Sequence, residues 1–192
     1  MERIRQLVKD RLQGIPGHGY DHVRRVLNLA LRIAQSYSDE VDIEVLTLAA
    51  LLHDLGRPLE EARRIHHALI SAEMAEGILR EIGMPDEKIR KVVEAIKAHS
   101  YTMQKAPKSI EARILSDADK LDAIGAIGVA RCFMEAGRRG RSLKDSIEHF
   151  HAKLLKLKDL MYTEEARRLA LERHEFMERF LKRLMQELRG EA

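Results

Sequence analysis

Hydrophobic positions recur along this chain with helical spacing, and the alternating pattern of a half-buried strand is scarce. Met1 to Leu12 predicts a short charged helix, closed by the breaker GIPGHG. The next helix, with Asp21 as its expected cap, runs to about Ser36 and gathers Val26, Leu29, Ala30 and Ile33 on one face. Ile43 to Leu55 is apolar almost all round, the mark of a central buried helix. GRPLEEARR predicts a loop or a frayed turn, and His66 to Ile82 a helix ended by Gly83 and Pro85. Asp86 opens a further helix in which Ile89, Val92, Ile96 and His99 form one seam. After a polar loop with Pro107, one helix is expected from about Ile110 to Ala136, then the basic loop GRRGR. Two long amphipathic helices finish the chain. One carries Ile147, Phe150, Leu154 and Leu157; the other carries Ala166, Leu169, Met177, Phe180 and Leu184.

These elements predict an all-α protein: a single helical-bundle domain over 1–192, with a core at about 18–136 and C-terminal helices at about 142–188. The composition agrees. With 45% hydrophobic and 34% charged residues, the chain is expected to be globular and soluble rather than disordered. A net charge of +3 arises from 34 basic and 31 acidic residues, a balance too even to imply nucleic acid by itself. No apolar run reaches spanning length, and MERIRQLVKDR lacks the features of a signal peptide, so no membrane association is expected. Cys132 is the single cysteine, which excludes an intramolecular disulfide and fits a reducing cytoplasm. Abundant Lys, Arg and Glu with a single asparagine suggest a thermophilic source.

Certain ionisable side chains fall on apolar faces. His22 extends the stripe of Val26 and Leu29. In LTLAALLHDLGR the most hydrophobic helix ends in His53 and Asp54. Neighbours on a helix diverge by about 100°, so both reach one point only near a helix end; Gly56 and Pro58 put the end there. Asp119 shares a face with Leu115 and Asp122, while Asp117 points roughly opposite. His22, His53, Asp54 and Asp119 therefore offer imidazoles and carboxylates, without thiolates, from three helices. That set suits a divalent metal with open positions; hydrogen-bonded core histidines and a capping aspartate are the alternatives that spacing leaves open.

The ordered set H…HD…D, in the contexts GHGYDHVRRV, LAALLHDLGR, HHALISAEMAEGIL, VVEAIKAHS and LSDADKLDAIGAIGVAR, resembles the HD-domain metal-dependent phosphohydrolase superfamily. With SIEHFHAKLLKLKDLMYTEEARRLALERHEFM it is similar to a bacterial and archaeal branch that includes nucleoside triphosphate pyrophosphohydrolases. The resemblance implies an HD domain in which His22, His53, Asp54 and Asp119 ligate the metal. It further implies that Asp54, His67 and His99 assist catalysis, the two histidines matching second-metal or substrate-facing positions of relatives. His18 also matches a family position and, with Lys120, Asp122, Arg138, Arg139 and Arg141, is expected to meet the substrate. The loop GRRGRSLKD is shorter than is usual in that branch.

The expected activity is hydrolysis of a phosphoester or phosphoanhydride in a small phosphorylated substrate, foremost a nucleoside triphosphate cut to monophosphate and pyrophosphate. A phosphomonoesterase, a cyclic-nucleotide phosphodiesterase and a catalytically silent nucleotide-sensing or partner-binding protein are the alternatives. The His-rich ligand set favours Mn²⁺, with Co²⁺, Ni²⁺ or Fe²⁺ next and Mg²⁺ after them. A P-loop enzyme is excluded for want of GxxxxGK[ST]. Nucleic-acid binding is disfavoured, because charges alternate in sign and aromatic residues are only 4%.

Overall fold

The computed structural model describes residues 1–15, 17–100, 103 and 105–191; Pro16 of the first breaker lies outside them. Every regular element among the described residues is helical, as expected for an all-α protein. The contacts define two compact units, Met1–Asp119 and Lys120–Ala192.

The first unit is organised around α3 (Ile43–Leu52). Seven of its ten residues are buried, from Val45 to Leu52, which is why its sequence lacks a polar face. Burying each leucine there contributes about 1.5–3 kcal/mol. Asp42 caps its start, its side chain accepting hydrogen bonds from the backbone N–H groups of Glu44 and Val45. Around α3 lie α1 (Glu2–Arg11), α2 (Tyr20–Ala34), α5 (His67–Glu81) and α6 (Asp86–His99). The expected loop GRPLEEARR is a 3-10 turn (Arg57–Leu59) followed by the one-turn helix α4 (Glu60–Arg63), stopped by Arg64 in the left-handed region at φ 53°.

Three expectations are corrected. Asp21 does not cap α2: Gly19 occupies the cap position, and Asp21 lies in the first turn beside Arg24 at 3.5 Å. Leu29 is only half-buried, and Val23 and Leu27 take the core positions of α2 instead. The helix expected over Ile110 to Ala136 is broken into α7 (Ile110–Asp122) and α8 (Gly125–Arg138). Two glycines explain the break. Gly125 sits at φ +75°, and a Cβ on Gly128 would come within 2.3 Å of the Ala123 carbonyl oxygen.

In the second unit α8 packs on α9 (Leu143–Ala152) and on α10 (Glu164–Leu188), with Phe133, Phe150 and Phe180 meeting at centroid distances of 5.9–6.4 Å. The first C-terminal helix is shorter than its apolar pattern suggests. After Ala152 the chain tightens into a 3-10 stretch, Leu154–Leu160, in which Leu154 and Leu157 remain buried.

Candidate metal centre

The end of α3 shapes the site. His53 is its C-terminal cap, and the chain turns immediately, with the Arg57 N–H donating to the Asp54 carbonyl at 2.9 Å. Gly56 permits this turn to press on the start of α5. A Cβ there would stand 2.7 Å from the His67 carbonyl oxygen and from the Ile70 Cβ, and the Gly56 N–H donates to Ser71 Oγ at 2.9 Å. The turn thus brings His53, Asp54 and His67 together.

Asp54 is fully buried, and its two oxygens face different partners. Oδ2 lies 3.0 Å from His18 Nδ1, 3.5 Å from His22 Nε2 and 3.8 Å from His53 Nε2. Oδ1 lies 3.0 Å from Arg57 Nε, 3.5 Å from His67 Nε2 and 3.9 Å from His99 Nε2. Asp119 Oδ1 approaches His22 Nε2 at 3.5 Å, and His22 and His53 bring their Nε2 atoms to 3.3 Å. Asp119 is 22% exposed, so one side of the cluster is open to solvent.

Three of the imidazoles are oriented from behind. His53 Nδ1 pairs with the Ala50 carbonyl at 2.8 Å and His99 Nδ1 with the Ile96 carbonyl at 2.6 Å. His67 Nδ1 pairs with Glu60 Oε1 at 3.0 Å. Each acceptor requires the proton on Nδ1, which in a neutral ring leaves a lone pair on Nε2 directed at the cluster. Burial, reinforced by the Arg57 charge, lowers the His67 pKa to about 4; burial, reinforced by His53, lowers His99 to about 3. Burial also lowers His53, against the pull of Asp54. Burial by itself raises a carboxyl pKa, yet Arg57 and His53 hold Asp54 well below the usual carboxylate range. His22, His99 and His53 likewise hold Asp119 at about 2. The imidazoles of His53, His67 and His99 are therefore neutral beside the ionised Asp54 and Asp119 at neutral pH.

His67 Nε2 and His99 Nε2 are buried with no hydrogen-bond partner among the described residues. A buried polar atom without a partner is costly. The donor atoms of His22, His53 and Asp119 lie within 4.8 Å of one another, as do those of His18, His22 and Asp54 and those of His53, Asp54 and His99. That spread is close to the span of opposed ligands about 2.1 Å from one ion, so the His/Asp cluster suits a divalent metal.

The HD domain family matches residues 19–124, more than half of the chain, and the chain belongs to that family. It is a metal-dependent phosphohydrolase of the HD superfamily. Over 182 residues it is 37% identical to the uncharacterized protein YpgQ of Bacillus subtilis, covering 91% of this chain and 86% of YpgQ. The structure of YpgQ in complex with ADP superposes with a TM-score of 0.81 at 34% identity, covering 100% of this chain and 99% of that one. An HD-superfamily hydrolase of Bacillus thuringiensis gives a TM-score of 0.76 at 34% identity, over 98% and 96% of the two chains. No helix among the described residues is long and apolar enough to cross a membrane.

The structure brings His18, His22, His53, Asp54, His67, His99 and Asp119 into one cluster. Asp117, on the opposite face of α7, is fully buried. The other candidates have partners of their own. The Lys120 ammonium stands 4.4 Å from the Tyr162 ring centroid. Asp122 is buried and accepts from Arg131 Nη1 at 2.7 Å. Arg138 binds Glu135 through Nε and Nη2, both at 2.9 Å, and Arg139 binds the same carboxylate; Arg141 is exposed. Sequence reasoning missed Arg57, Glu60 and Ser116. Ser116 Oγ donates to the His99 carbonyl at 3.1 Å. Arg57 and Glu60 carried one signal, a spacing of three residues on either side of a turn, in a segment expected to be a loop.

Proposed function

We propose that the chain hydrolyses nucleoside triphosphates to monophosphate and pyrophosphate, with Mn²⁺ held by His22, His53, Asp54 and Asp119. The observation that carries the metal assignment is the convergence of imidazole nitrogens on both oxygens of one buried carboxylate. Support for a nucleotide substrate comes from the complex of the relative YpgQ with ADP. A divalent ion bound here supplies Lewis-acid polarisation of a phosphate oxygen and a lowered pKa for water.

The chain's own residues do the rest. Asp54, held ionised, orients the attacking water. One of the pair His67 and His99, both held neutral with an Nε2 lone pair facing the cluster, accepts its proton. Arg57, 3.0 Å from Asp54, adds positive charge beside the phosphorus under attack. His18, Lys120 and Asp122 position the substrate. Arg138, Arg139 and Arg141 hold the β- and γ-phosphates, the first two by exchanging Glu135 for a phosphate oxygen. Attack at the α-phosphorus expels pyrophosphate as the leaving group. Turnover of a nucleoside triphosphate with Mn²⁺ in ¹⁸O-labelled water tests this: label enters the monophosphate. Orthophosphate released from monophosphates, with triphosphates left intact, replaces this reading by a phosphatase.

A further inference from the structure

The two oxygens of Asp54 are treated differently by the fold. On the Oδ2 side stand His18, His22 and His53, with Asp119 beyond His22. Oδ1 faces two further imidazole lone pairs, those of His67 and His99, and so offers donors of the same chemistry. A carboxylate oxygen with two such nitrogens is a set on which a second divalent ion could draw. Here that oxygen already has a cation: Arg57 Nε lies 3.0 Å away.

Arg57 is not a loose surface side chain that drifted into the site. Its Nη1 lies 3.5 Å from Glu60 Oε2, and Glu60 Oε1 in turn accepts from the backbone N–H of His67 at 3.1 Å and from His67 Nδ1 at 3.0 Å. With His67 Nε2 returning to Asp54 Oδ1, the four side chains form a closed ring built on the turn that Gly56 makes possible. One carboxylate, Glu60, thus fixes both the guanidinium and the imidazole that meet at the same oxygen. The charges follow the same logic. Asp54, Asp119 and Glu60 bring three negative charges, Arg57 returns one positive charge, and a single divalent ion brings the group to neutrality. A second divalent ion leaves it with an excess of positive charge in a largely buried place, which is costly.

We propose that Arg57 is the second cation of this centre: its guanidinium, braced by Glu60, takes the Oδ1 side of Asp54, so the site binds one divalent ion and His67 is not a ligand to it. The inference rests on the metal assignment above, and ion counting separates the two.

The test is the Mn²⁺ stoichiometry of the purified chain, read by titration with detection of free Mn²⁺ by electron paramagnetic resonance, with no turnover involved. Wild type binds one ion per chain. Arg57→Gln, which keeps length but not charge, binds two, and spin coupling between neighbouring Mn²⁺ ions appears in its spectrum. Arg57→Lys, which keeps the charge, and the double variant Arg57→Gln/His67→Ala both return to one. Two ions in wild type, or any count other than two in Arg57→Gln, overturns the inference and leaves the metal assignment standing. No ion in wild type overturns both. His67→Ala in the wild-type background needs no change at Arg57: it keeps its single ion at saturating Mn²⁺, and loss of that ion also overturns the inference.

Discussion

Two groups of charged side chains invite comparison, the cluster around Asp54 and the cluster around Glu135. Both gather nitrogen groups about a carboxylate, and in both the carboxyl pKa is depressed. Around Glu135 the arginines 138 and 139 approach from adjacent positions near the end of one helix, half-exposed, and the carboxylate holds both of them. Such a group satisfies itself in solvent and contributes little. Around Asp54, His22, His53, His67 and His99 arrive from separate helices and are buried, and the Nε2 lone pairs of His67 and His99 face inward with no hydrogen-bond partner among the described residues. Charge density alone does not mark a site; buried polar atoms that the protein leaves incomplete do.

The largest effect should come from removing a ligand. Asp119→Ala loses Mn²⁺ and turnover together, whereas Asp117→Asn keeps the ion, as elemental analysis of the purified variants will show. Retention of metal by the first and its loss by the second would reverse the assignment of these two aspartates.

Removing the ion itself comes next. At a free Mn²⁺ concentration about a hundredfold above its Kd, binding stabilises the fold by about 2.7 kcal/mol. For a chain of this size chelation then lowers Tm by roughly 5–10 °C. A thermal scan unchanged by chelator and by added Mn²⁺ would mean that the Asp54 cluster satisfies itself as the Glu135 cluster does.

Gly56→Ala probes the turn that assembles the cluster. The added Cβ meets backbone and the Ile70 Cβ at 2.7 Å, none of which yields easily. Overpacking of this kind costs about 1–3 kcal/mol, a Tm loss of roughly 2–12 °C, and weakens Mn²⁺ binding because the turn that carries His53 and Asp54 is displaced.

The smallest effect belongs to the exposed cluster. Glu135→Gln should change stability at neutral pH by less than about 1 kcal/mol. The Glu135 pKa is lowered to about 2 by the hydrogen bonds from Arg138, against burial and with Arg139 adding to it. A depressed carboxyl contributes stability above its ordinary pKa and loses it as pH falls through the folded value. The difference in Tm between wild type and Glu135→Gln is therefore constant at neutral pH, shrinks below about pH 4.5, and vanishes near pH 2. A difference that grows on acidification would contradict this origin.

The amino-acid sequence by itself determined the helical class and most element positions, because apolar spacing and capping residues are local properties. It also singled out the residue types at the HD turn. The apolar run before His53 required a buried helix, and Gly56 required its end. Where it failed, the deciding contact was not local. The break at Asp122–Gly125 follows from the backbone meeting itself at Gly128, and the demotion of Leu29 from which face of α2 the other helices cover. Only the tertiary structure decided which nitrogen of each histidine faces Asp54. A ring's orientation is set by the acceptor behind it, and for His67 that acceptor, Glu60, lies across a turn of the chain. The unlike treatment of the two Asp54 oxygens is likewise a property of packed helices: a carboxylate has equivalent oxygens until neighbours from different elements claim one each.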